Sequence, residues 1–131
     1  MASIKLRGST ILEDFGKPYI VAEVNTSHFG DINIAKEMID KVKVIGCSCV
    51  KFQSWNADTL YSASYYKENP IAKRFIDKLS FSSSELKELS DYSKSMALDF
   101  CSTPYSYEEV DFLVSEENVP YIKVASMDLN N

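Results

Sequence analysis

Apolar positions along the chain follow two rhythms. Four short runs, residues 19–24 (YIVAEV), 48–53 (SCVKFQ), 98–103 (LDFCST) and 119–125 (VPYIKVA), are rich in β-branched, aromatic and cysteine residues and too short for helices. They are expected strands. Between them the spacing lengthens to that of a helix. Ile34, Ala35, Met38, Ile39 and Val42 recur on one face of residues 31–45, with Asp31 placed to cap the start and Gly46 to take the left-handed position after the end. A second helix is expected over residues 83–97, with Ser82 and Glu85 as a capping box and Phe81 with Leu86 as its hydrophobic staple. A third, over residues 107–117, repeats the device with Ser106, Glu109, Tyr105 and Val110. Glu108, Glu109 and Asp111 there place negative charge at the positive end of the helix dipole.

The order β-α-β-insert-α-β-α-β predicts an α/β fold with a parallel sheet and right-handed crossovers. The insert, residues 54–80, follows the second strand and so lies at the carboxyl end of the sheet. It carries Trp55, Tyr61, Tyr65 and Tyr66 and one short helix over 71–79. Its aromatics read either as a lid over a substrate or as a local cluster anchoring a long loop. Residues 1–17 carry a hairpin pattern, with Ile4, Leu6, Ile11 and Leu12 around Gly8-Ser9.

Composition narrows the function classes. The chain has 131 residues, the size of one domain, and its 45% hydrophobic and 25% charged residues are the mix of a globular protein. No apolar run approaches the roughly 20 residues of a membrane span. None follows Met1 as in a secretory signal, so a cytoplasmic location is expected. A net charge of −5 argues against general nucleic-acid binding but leaves room for a small anion held by converging lysines. The cysteines, Cys47, Cys49 and Cys101, are odd in number and read as free thiols. Cys47 and Cys49 have the wrong spacing for a zinc ribbon or redox pair and are expected to pack as small hydrophobes. With His28 the sole histidine, a zinc site built within the chain is not expected.

Every expected strand turns polar at its carboxyl end: Glu23 on the first, Lys51 and Gln53 on the second, Ser102 and Thr103 on the third, Lys123 and Ser126 on the fourth. Ligands of parallel α/β folds bind at those ends, where the loops converge. Alternation places Cys49, Lys51 and Gln53 on one face and Val50 and Phe52 on the other. Burying a lysine is unfavourable unless it is paired or used. Two lysines and a carboxylate therefore suggest a phosphate or carboxylate ligand, with Glu23 polarising it or accepting a proton. The alternative is that Glu23 and Lys51 form an ion pair serving only the fold. His28, in the loop after the first strand, reads more readily as a solvated or hydrogen-bonded residue than as a catalyst. Asp128 and Asn130 read as ordinary turn formers.

The segments AEVNTSHFGD (22–31), VKFQ (50–53), LSFSSSELKEL (79–89), FCSTPYS (100–106) and YIKVASMDLNN (121–131) occur in that order. Together they resemble the N-terminal domain of the sialic acid synthase family, which includes N-acetylneuraminate, legionaminate and pseudaminate synthases. The likeness runs from about Lys17 to the last residue. It implies that residues 1–131 are a single partial domain, the N-terminal half of a (β/α)8 TIM barrel that takes about 250 residues when complete. It implies condensation of phosphoenolpyruvate with an acylated amino sugar of the N-acetylmannosamine type, giving a nine-carbon 2-keto acid and phosphate. It also implies a homodimer and a divalent ion, Mg or Mn, acting as a Lewis acid. The family's metal-binding histidines belong to the second half of the barrel, so no metal ligand is expected in this chain.

Carried over by position, the resemblance gives Lys51 and Lys123 the phosphate and carboxylate of phosphoenolpyruvate, with hydroxyl bonds from Thr103 and Ser126. Gln53 and Tyr61 become substrate-binding residues. Glu23, Asp128 and His28 become the candidate catalytic residues, Glu23 holding the sugar and handling its proton. Two positions depart from the pattern: Ser27 precedes His28 where the family usually has Asn, and Met127 stands where it often has Gly. Synthase turnover is not expected of these 131 residues alone. Two other readings are a non-catalytic half barrel that self-associates or binds phosphoenolpyruvate weakly, and another phosphoenolpyruvate-dependent keto-deoxy sugar acid synthase.

Overall fold

A computed structural model describes residues 2–8, 10–116 and 119–130. The expected hairpin forms: β1 (Ser3–Lys5) pairs antiparallel with β2 (Ile11–Glu13), Ile4 opposite Leu12. Gly8 sits in its turn at φ 98°; Ser9, the other turn residue named from the sequence, lies outside the described residues. The hairpin is tied to the far end of the chain. The Arg7 N–H donates to the Pro120 carbonyl at 3.0 Å, and its guanidinium donates to the Val114 carbonyl at 2.8 Å.

Three strands, β3 (Val21–Glu23), β4 (Cys49–Ser54) and β5 (Asp99–Pro104), form one parallel sheet in that order. The register sets Glu23 opposite Lys51, Lys51 opposite Cys101, and Gln53 opposite Thr103. α1 (Ile32–Val44) connects β3 to β4, while the insert and α5 (Ser83–Ser95) connect β4 to β5. Alternation divides the sheet as predicted. Val50, Phe52 and Phe100 join Ala35, Ile39 and Val42 of α1 and Leu86 and Leu89 of α5 in the main core. Phe52 stacks on Phe100 with ring centroids 5.6 Å apart. Phe52 and Ile39 are fully buried, and each such side chain contributes about 1.5–3 kcal/mol.

The helix signals locate their ends well. The Asp31 carboxylate accepts from the Asn33 and Ile34 N–H groups, and Gly46 follows α1 at φ 81°. Ser82 and Glu85 form the complete capping box of α5. α6 (Tyr107–Asp111) starts at Ser106, whose hydroxyl accepts from the Glu109 N–H. The Glu109 carboxylate turns instead to the Tyr105 N–H at 2.7 Å, so that box is half formed. The helix runs on as a π turn over Phe112–Glu116; Glu117, its expected end, lies outside the described residues.

Two expectations need correction. The insert holds three helices rather than one: α2 (Ala57–Leu60), α3 (Ala63–Glu68) and α4 (Pro70–Leu79). α2 and α3 are too brief to repeat a helical period, but Asn56 and Ser62 cap them with side-chain acceptors and Pro70 opens α4. The expected fourth strand, residues 119–125, is not a strand. Pro120 has no N–H to give a ladder, and the segment is held by separate contacts. The Val119 N–H donates to the Leu113 carbonyl at 3.2 Å, Arg7 reaches Pro120, and the Cys101 thiol reaches the Tyr121 carbonyl at 3.5 Å. A 3-10 turn, Ser126–Asp128, follows. Among the described residues no helix is long and apolar enough to cross a membrane.

Candidate active site at the carboxyl end of the sheet

The sheet face turned away from the helices carries Glu23 on β3, Lys51 and Gln53 on β4, and Cys101 and Thr103 on β5. The register brings the first pair together: the Lys51 ammonium forms an ion pair with Glu23 Oε2. The same Nζ donates to Thr103 Oγ1 at 3.2 Å. Lys51 is 9% exposed and Thr103 1%. A carboxylate and a hydroxyl together compensate the ammonium for the water it loses. Glu23 opens outward, its side chain 42% exposed, and its other oxygen accepts from the Asn25 N–H at 3.2 Å. The loop that continues from Glu23 holds Asn25 and Phe29 at positive φ, which concentrates backbone strain beside the pair.

Toward the amino end of the same face the layer is closed and sulfur-rich. Cys49 and Cys101 are buried free thiols, as read from the sequence; Cys47 is free and partly buried. The Tyr19 hydroxyl donates to Asp99 at 2.5 Å, and the Tyr19 and Tyr121 rings meet edge to face at 6.3 Å. Burial, reinforced by the Asp99 bond, pushes the Tyr19 hydroxyl far above its ordinary value. The Cys49 thiol, bonding to Cys101, lowers the Cys101 thiol, and Lys51 adds to that effect.

The other candidates divide. His28 is buried, 2% exposed, with its ring stacked on Phe81 at 4.2 Å and tilted against Phe52 at 5.9 Å. Phe52 belongs to the helix-side face, so His28 sits behind the sheet from Lys51. It is hydrogen-bonded, Nδ1 accepting from the Gly30 N–H at 3.0 Å, but not solvated. Burial holds its pKa below the ordinary value. Protons therefore bind the unfolded chain better at this position. Stability is expected to decline as pH falls through about 6.5, and the decline should flatten in His28→Phe when urea midpoints at pH 7.5 and 5.5 are compared.

Lys123 is partly exposed and, among the described residues, has no hydrogen-bond or ion-pair partner. Ser126 is exposed in the 3-10 turn and Asp128 is half-buried. No hydrogen bond joins Lys123, Ser126 or Asp128 to the Glu23–Lys51–Thr103 group among the described residues. Tyr61 lies in a cluster internal to the insert, its ring 4.5 Å from that of Tyr65 and 6.0 Å from that of Tyr66. Met127 is 57% exposed. Tyr105 was read as a helix staple, yet it continues the Cys101–Thr103 face. The period-2 alternation of β5 was the signal that could have found it. No group of three or more His, Cys, Asp or Glu side chains able to hold a metal ion occurs among the described residues. The donor set among the described residues therefore does not fit a divalent-metal site.

The molecule is an α/β protein whose parallel sheet carries the Glu23–Lys51–Thr103 group at its strand carboxyl ends. The comparisons name its kind: the NeuB family model matches residues 38–131, and the chain belongs to that family. It is 32% identical, over 98% of its length, to an N,N'-diacetyllegionaminic acid synthase of Legionella pneumophila. It is 33% identical, over 86% of its length, to an N-acetylneuraminate-9-phosphate synthase of Drosophila melanogaster. The fold resembles the crystal structure of an N-acetylneuraminic acid synthetase from Leptospira borgpetersenii in complex with citrate. The TM-score is 0.83 at 28% identity, covering 97% of this chain and 42% of that one. The chain spans about a third of the two curated relatives, 37% and 32% of their lengths.

Proposed function

We propose that this chain is the N-terminal half of a (β/α)8 synthase barrel that condenses phosphoenolpyruvate with an acylated amino sugar, yielding a 2-keto sugar acid and phosphate. The observation that carries this reading is the buried Lys51 ammonium at the carboxyl end of β4, between Glu23 and Thr103, in a chain whose relatives are named as sugar-acid synthases. A buried cation at a loop-ringed strand end suits an anion. Phosphoenolpyruvate would take the Lys51 ammonium and the Thr103 hydroxyl, releasing Glu23 to accept from a sugar hydroxyl. Lys123 and Ser126 would close on the second anionic group once residues 119–128 pack against further chain. Asp128 stays a candidate for the reacting carbons. His28 drops from the catalytic set, because its ring is stacked in the core behind the sheet. A divalent ion, if bound, would take its ligands from the remainder of the proposed barrel, and dimer contacts would likewise draw on that remainder.

A second reading is favoured by the ion pair itself: Glu23 and Lys51 satisfy each other, as they would in a non-catalytic half barrel. One experiment separates the two. Antibody capture from source cells followed by intact-mass measurement should return a polypeptide well above 14.8 kDa, active with phosphoenolpyruvate and an N-acylated hexosamine. The 131 residues purified alone should release no phosphate. A captured product of the shorter mass would sink the synthase proposal in favour of a binding protein, and metal-dependent phosphate release by the short chain would refute the need for the remainder.

A further inference from the structure

Alternation along β5 delivers one more side chain to the site. Cys101, Thr103 and Tyr105 follow each other at two-residue steps, the last just beyond the strand end at Pro104. Two contacts fix the position of Tyr105. Its N–H donates to Glu109 Oε2 at 2.7 Å, and the Trp55 ring lies 5.6 Å from the phenol ring at an angle of 53°. Its hydroxyl has no hydrogen-bond partner among the described residues. Tyr105, Thr59 and Asp128 line one cavity of about 480 Å³, with Val110 and Val124 supplying apolar wall.

The charges around the phenol define what it can hold. Burial raises its proton affinity most, and the carboxylates of Glu23 and Asp128 raise it further. The phenol therefore stays protonated and can donate. Asp128 lines the same cavity as the phenol, whereas Glu23 is held in its ion pair with Lys51. The Asp128 carboxylate disfavours an anion in that cavity. A neutral polyhydroxylated molecule fits: it accepts from the phenol and donates to Asp128.

We propose that Tyr105 is a substrate-binding residue whose hydroxyl donates a hydrogen bond to an oxygen of the neutral acceptor sugar, in the cavity it shares with Thr59 and Asp128. The inference rests on the synthase reading and adds the location and chemistry of the sugar-binding cavity. The test is Tyr105→Phe in the complete polypeptide that carries this sequence, assayed by phosphate release with the best acceptor from a panel of N-acylated hexosamines. Phenylalanine keeps the ring against Trp55, and an unchanged thermal midpoint verifies folding. The expected result is a KM for the sugar raised about tenfold, the size of one lost hydrogen bond, with the KM for phosphoenolpyruvate within about twofold of the wild type. An unchanged sugar KM overturns the proposal. So does an equal rise in both KM values, which would mark a purely structural residue. A wild-type protein that consumes phosphoenolpyruvate with none of the sugars refutes the synthase reading itself, and this inference with it.

Discussion

Replacing Lys51 with methionine in the complete polypeptide is expected, on the proposed synthase function, to reduce phosphoenolpyruvate-dependent turnover by about 10²–10³-fold or more, the scale of removing one charge-stabilising donor from a reacting centre. Methionine keeps an unbranched stem in the buried channel and removes only the ammonium. The loss should appear as weakened phosphoenolpyruvate affinity in calorimetry, with sugar binding less affected. Folding should suffer less than burial of Lys51 alone suggests. The abandoned partner, Glu23, is 42% exposed and can be resolvated, so the 3–5 kcal/mol penalty typical of orphaning a fully buried charge does not apply in full. The competing account, an ion pair that serves only the fold, gives the reverse pattern: stability falls and phosphoenolpyruvate affinity is unchanged.

Gly30→Ala is expected to be the most disruptive small change in the chain. Gly30 has φ +77°, and an added Cβ would lie 2.0 Å from the Lys78 carbonyl oxygen. That oxygen belongs to the backbone at the end of α4 and cannot swing aside as a side chain would. Left-handed strain of about 1–2 kcal/mol adds to an overpacking penalty of about 1–3 kcal/mol. The sum is a large part of the 5–15 kcal/mol that typically holds a domain together. Gly46→Ala is the control. Gly46 has φ +81° and nothing within 4 Å of an added Cβ, so it carries the strain without the collision. Urea unfolding should show Gly30→Ala losing clearly more than Gly46→Ala. Equal losses would mean that the α4 end gives way freely and does not brace the loop after β3.

Much of the fold was legible because strong local signals coincided with tertiary demands. The Ser82–Glu85 box, the Asp31 cap and Gly46 mark helix ends through backbone chemistry that acts over three or four residues, and α1 and α5 form within two residues of expectation. The alternation of Cys49-Val50-Lys51-Phe52 gave both faces of β4, and from it the position of Lys51. What failed was information not carried locally. Residues 119–125 have strand composition, but a strand also needs a partner's ladder, and Pro120 withholds a donor from it. His28 is a loop residue, as its neighbours in sequence say, but they do not show that it is buried. Its burial comes from Phe81, 53 positions away. Tyr105 served two patterns at once, a helix entry and a strand face, and only the fold ranks them.

The Arg7 contacts have a consequence for how the chain is made. The guanidinium binds a carbonyl 107 residues further on. At roughly 5–20 residues per second of synthesis, the hairpin emerges several seconds before the segment it must grip exists. Until then β1 and β2 have only each other, and an isolated two-stranded hairpin is marginal in water. Ile4, Ile11 and Phe15, which remain exposed even in the finished structure, face solvent throughout that interval. The hairpin is thus synthesised well before the segment that fixes it, and it offers a chaperone acting on the nascent chain a long opportunity to bind.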